Sequence, residues 1–123
     1  MKRDTDDTDF RPVKESYSYR QPGCLFCEIP QERVMAENEL AYAILDAFPV
    51  TEQHTLIMPK RHLDDFFSLY QPERNAIQQL LEERRQAILY SDSTVTGFNV
   101  GINVGASAGQ TVMYPHVHLI FRR

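Results

Sequence analysis

The chain has 123 residues, a formal charge of −4 and a pI near 5.5. That is enough for one hydrophobic core, and it argues against a general nucleic-acid surface, which shows as a basic excess. No apolar run approaches the roughly 20 residues that span a bilayer.

Residues 1–22 are polar, mix charges of both signs and carry Pro12 and Pro22. They read as a flexible arm or an extended segment lying on the domain, with the globular part over residues 23–123. Residues 1–7 lack the apolar stretch of a secretion signal. A cytoplasmic location is therefore expected, in which Cys24 and Cys27 stay reduced. Residues 40–45 form a short apolar run closed by Asp46 and the turn-prone Phe48-Pro49, which predicts a strand. Residues 54–58 are apolar and β-branched and stop at Pro59, giving a second strand close enough to pair antiparallel with the first. Lys60, Arg61 and His62 follow in succession and leave room for a local positive site.

Beyond Arg61 the period changes. Leu63, Phe66, Phe67 and Tyr70 fit a short helix ending near Gln71-Pro72, and Pro72 then opens a longer one. Ile77, Leu80, Leu81 and Ile88 make the apolar stripe of that helix, and Glu82 to Arg85 its solvated face. Residues 94–97 read as a turn and residues 98–104 as a third strand. A last strand covers residues 114–121. This order predicts an α+β fold, a mostly antiparallel sheet with helices on one face.

The most informative stretch is residues 110–120. In a strand every second side chain shares a face, so Tyr114, His116, His118 and Ile120 point one way while Val117, Leu119 and Phe121 pack the other. Two imidazoles about 7 Å apart along the strand suit an anionic or metal-bound substrate. Just before them, residues 103–111 are small and rich in hydrogen-bonding groups, as a phosphate loop requires. The plain alternative is a half-buried strand whose histidines face water. All four histidines fall in two clusters, His54 with His62 and His116 with His118.

Gly109-Gln110-Thr111-Val112 followed by Tyr114-x-His116-x-His118 resembles the signature of the histidine triad (HIT) family of nucleotide hydrolases and transferases. Upstream, Cys24-Leu25-Phe26-Cys27 is similar to the family's Cys-x-x-Cys opening. Residues 43–46 resemble its strand ending in a ribose-binding acid, residues 54–62 its second signature, and Asn103 its asparagine before the glycine loop. The resemblance implies a five-stranded antiparallel sheet, a homodimer, and attack on the α-phosphate of a purine nucleotide conjugate, a phosphoramidate or dinucleoside polyphosphate. The nucleophile carried over is His116, forming a covalent nucleotidyl-histidine. His118 and Gln110 complete the catalytic set, and Asp46, Asn103, Gly109, Thr111, His54 and Tyr114 the substrate-binding set.

The resemblance requires no cofactor for the chemistry. It does suggest structural zinc on Cys24, Cys27 and His62, although the fourth ligand falls on Tyr114; two small packed cysteines are the alternative. Tyr114 replaces the first histidine of the triad. A second departure is Phe121, where proline is frequent, and relatives commonly run on beyond the position of Arg123. Two rivals follow: a nucleotide-binding module weakened by the loss at 114, and a metal site built from the four histidines.

Overall fold

The computed structural model describes residues 17–112 and 114–123, so most of the expected N-terminal arm lies outside the described residues. The sheet is antiparallel and five-stranded, built from β1 (Val34–Glu37), β2 (Ala41–Leu45), β3 (Thr55–Pro59), β4 (Gly97–Ile102) and β5 (Val117–Arg122). Its spatial order is β1-β2-β3-β5-β4, so β1 and β4 are the edges. β2 and β3 pair antiparallel from Ala41↔Pro59 to Leu45↔Thr55, as their short connection requires.

One long helix, α1 (Gln71–Ser91), covers one face. Ile77 and Leu80 pack with Ala41, Ala43, Ile57 and Val117, while Ile88 packs with Leu119 and Phe121. Burial of the isoleucine, leucine, valine and phenylalanine side chains among them favours folding by roughly 1.5–3 kcal/mol each. The opposite face carries a second cluster of Phe26, Tyr42, Ile44, Leu56, Met58 and Tyr114. Among the described residues no helix is long and apolar enough to cross a membrane.

One strand lies outside the elements expected from the residues, and two expectations need correction. β1 was not read from its residues: the step from Val34↔Ile44 to Ala36↔Ala43 places Met35 in a bulge, which breaks the period-two pattern. The short helix over residues 63–70 is only a 3₁₀ turn, Phe66–Ser68, because Leu63 and Leu69 anchor the segment separately in the core. The last strand starts at Val117, not at residue 114; Pro115 has no N–H to give to a ladder.

The basic run 60–62 is not a free positive site either. Lys60 pairs with Glu37 at 2.9 Å, and the buried Arg61 guanidinium grips Glu73 through Nε and Nη2 at 2.8 and 2.9 Å. Glu73 also accepts from Tyr70 N–H at 2.8 Å, which ties the start of α1 to the end of β3.

Candidate active site

The register of β3 against β5 sets Leu56 opposite His118. Thr55 then lies opposite Leu119, and His54, one residue earlier, meets His118 side chain to side chain. His54 Nε2 lies 2.8 Å from His118 Nδ1. The histidines therefore cluster otherwise than their sequence proximity suggests: His54 joins His118 and His116, while His62 stands with the cysteines.

Main-chain partners fix which nitrogen carries each proton. Val50 N–H donates to His54 Nδ1 at 3.1 Å, so a neutral His54 keeps its proton on Nε2 and donates it to His118 Nδ1. His118 is then protonated on Nε2. Burial, chiefly, and the neighbouring imidazoles hold His118 below the ordinary imidazole value; burial does the same for His54, against the pull of Asp46. Asp46 lies 3.5 Å from His54 Nε2. His116 Nδ1 sits 2.7 Å from the Tyr114 carbonyl, which can only accept. Nδ1 is thus the N–H of His116, and its lone pair is on Nε2. The His116 and His118 rings stand 5.1 Å apart, centre to centre.

These imidazoles line a cleft of about 250 Å³. One part of its wall is polar: Asn103, Gly109, Thr111, His116 and His118. The other is mainly apolar, with Leu25, Phe26, Ile44, Phe48 and Leu56, together with Asp46 and Arg33. Gly109 has φ +94°, and a Cβ there would meet the Asn103 amide at 3.3 Å. The glycine is therefore needed both for its backbone conformation and for this close approach.

Two predicted site residues are placed differently. Gln110 is buried and spends its side chain inside the loop, accepting from Gly105 N–H at 2.7 Å and donating to the Val112 carbonyl at 2.9 Å. It shapes the loop and does not line the cleft. Tyr114 lies on the same side of the sheet as His116 but does not line the cleft; its hydroxyl donates to the Pro59 carbonyl at 2.7 Å, and burial drives its pKa far up. The remaining predicted residues, Asp46, Asn103, Gly109, Thr111, His54, His116 and His118, converge. Sequence reasoning missed the Val50 amide and the Tyr114 carbonyl, since main-chain groups leave no residue-type signal, and Arg33, which no motif marks.

A second cluster lies across Tyr114. Ligand atoms of Cys24, Cys27 and His62 all fall within 4.8 Å of one another. Cys27 Sγ is 3.2 Å from His62 Nδ1, and His62 Nε2 is 3.3 Å from Asp64. A thiol pair and an imidazole backed by a carboxylate is a donor set suited to zinc. Tyr114 stacks edge-on to His62 at 5.4 Å, but its hydroxyl is committed to Pro59, so the described residues supply three ligands. Phe26 stands between the two clusters, with its ring edge-on to both Tyr114 and His116.

Comparison with known proteins agrees with this architecture. The HIT domain family model matches residues 28–123, and the chain belongs to the HIT family. It is 42% identical over 101 residues to an uncharacterized HIT-like protein of Mycoplasma genitalium, covering 79% of this chain and 71% of that one. Against the AP-4-A phosphorylase of Mycobacterium tuberculosis it is 32% identical, over 90% of this chain and 60% of that protein. A Zn-bound histidine triad family protein from Mycobacterium smegmatis has a similar structure, with TM-score 0.72 and 32% identity over 82% of this chain and 76% of that one.

Because His54 and His118 titrate below the ordinary 6.5 in the folded protein, the unfolded chain binds more protons as pH falls. Their neutral forms contribute stability above pH 6.5 that is lost as pH drops through the lower folded values. The melting temperature should fall between pH 7 and 5, and His118→Asn should flatten that slope. An unchanged slope in the variant would show that these imidazoles do not carry it.

Proposed function

We propose that the protein transfers the nucleotidyl group of a purine nucleotide conjugate, a phosphoramidate or dinucleoside polyphosphate, to water through His116. The observation that carries this reading is the 2.7 Å bond from His116 Nδ1 to the Tyr114 carbonyl. It leaves the Nε2 lone pair facing a cleft whose polar wall is built for a phosphate. In the first step Nε2 bonds to the α-phosphorus and the bond to the leaving group breaks. That group departs with its electron pair, taking a proton from water where it is an amine. The imidazole becomes cationic, and the Tyr114 carbonyl offsets the charge through Nδ1–H. Water then attacks the phosphorus, frees the monophosphate and restores Nε2.

His118 Nε2–H donates to a phosphate oxygen as charge develops. Asn103, Gly109 and Thr111 surround the phosphate, and Asp46 accepts from the ribose hydroxyls. Tyr114 is compatible with this chemistry because its main chain, not its side chain, orients His116. Adenosine phosphoramidate and a diadenosine polyphosphate should both release AMP, and His116→Ala should lower kcat/KM at least about a thousandfold. Mass spectrometry of the quenched wild type should find one nucleotidyl adduct, on His116. Monophosphate binding without release or adduct would instead identify a nucleotide-binding module.

The Cys24, Cys27 and His62 cluster is the proposed zinc site, with a structural role: it pins the loop that carries Phe26. Burial pushes the Cys27 thiol up in the metal-free protein, so metal binding would release a proton there. Protein prepared with zinc should retain about one equivalent and Cys27→Ser should lose it, with a lower melting temperature. Metal content at background in the wild type would rule the site out. A cytoplasmic location is proposed with it, where both thiols would stay reduced.

A homodimer is proposed through the β4 edge, which among the described residues pairs on one side only and exposes Val100. An open strand edge of this kind is a template for a second strand. The mass in solution by light scattering should be twice that of the chain, and Val100→Lys should halve it; a monomeric wild type would overturn the assignment.

A further inference from the structure

Arg33 has no part in the reaction described above, yet it lines the same cleft. It ends the 3₁₀ turn Gln31–Arg33 immediately before β1. A row of paired residues crosses the cleft face of the sheet: Val34 opposite Ile44, Ile44 opposite Leu56, Leu56 opposite His118. The row starts at Arg33's neighbour on β1 and ends at the imidazoles on β5. Three interstrand spacings separate those strands, about 14 Å. With the α-phosphorus held at His116, a nucleotide laid along this row would set its sugar and base over Leu56 and Ile44, with the base edge toward β1. The second ring of a purine reaches farther toward β1 than a pyrimidine does.

The guanidinium is held but not consumed. One nitrogen, Nη2, donates to the Leu45 carbonyl at 3.0 Å, and among the described residues the guanidinium has no other polar partner. Its remaining N–H groups are donors only. The carboxylate in that part of the wall, Asp46, accepts from Phe48 N–H and lies beside His54, so it is not placed for an exocyclic amine. An adenine would bring its own N6 donor against the guanidinium, whereas a 6-oxopurine presents two acceptors, O6 and N7, in the spacing of the guanidinium fork.

We propose that Arg33, fixed on the Leu45 carbonyl at the β1 end of the cleft, reads the O6/N7 edge of the base and makes this protein selective for guanosine-type nucleotides. The inference rests on the nucleotide reading of the cleft, and its test requires no turnover. Equilibrium binding of GMP, IMP, AMP and UMP would be measured on the full chain, on Arg33→Met, which keeps the apolar stem, and on Arg33→Lys, which keeps the charge. GMP and IMP should bind about tenfold tighter than AMP, with UMP weakest. Arg33→Met should bring GMP and AMP level by weakening GMP, and Arg33→Lys should not restore the difference. AMP binding as tightly as GMP, or a preference that survives Arg33→Met, would overturn the assignment. If none of the four monophosphates binds, the nucleotide reading fails and this inference with it. If GMP is preferred but no conjugate is turned over, base selection stands and only the transfer reaction fails.

Discussion

Everything of chemical interest in this protein depends on one strand pairing, β3 against β5. It joins segments about sixty residues apart and does so in a register that admits no slip: one step would turn His118 into the helix-covered core and Leu119 into the cleft. With the register fixed, the start of β3 delivers His54 to His118 and the end of β3 delivers Pro59 to Tyr114. Two clusters of reactive side chains thus form on one sheet face, with Tyr114 and Phe26 as the wall between them.

The basic run at the end of β3 shows how a strand end distributes charge. Lys60 reaches an edge-strand carboxylate, Arg61 turns under the helix to Glu73, and His62 faces the thiols. Three neighbours in sequence meet three different environments, and none is left to make a field. The Arg61–Glu73 pair is almost fully buried, and a buried pair of this kind is costly to break from one side, about 3–5 kcal/mol. It holds the first turn of α1 against the sheet and so protects the register of the strands beneath.

Much of this was legible in the residues. The apolar runs at 40–45 and 54–58, which form strands over 41–45 and 55–59, the Pro72 start and the 77-80-81-88 stripe each answer to one local rule. The alternation of Val117, Leu119 and Phe121 against His118 and Ile120 also holds. What was not legible has physical causes. Met35 in its bulge hides β1 from any period-two reading, and Pro115 delays the last strand. Leu63 and Leu69 are drawn into the core separately, which a helical spacing cannot anticipate. Gln110 is polar and correctly placed near the loop, but its hydrogen bonds close inside it, and only coordinates show that. His54 meeting His118 is a consequence of register, which no single segment contains.

The protonation of this site is written in main-chain atoms. A carbonyl at residue 114 and an amide at residue 50 decide which nitrogens of His116 and His54 bear hydrogen, and neither depends on the side chain mounted there. Residue 114 thus has two separable parts: its carbonyl orients His116 whatever side chain is mounted, while its buried ring and hydroxyl hold the wall against Phe26 and Pro59. A substitution there is read out twice, in stability through the side chain and in imidazole orientation only through the path of the backbone.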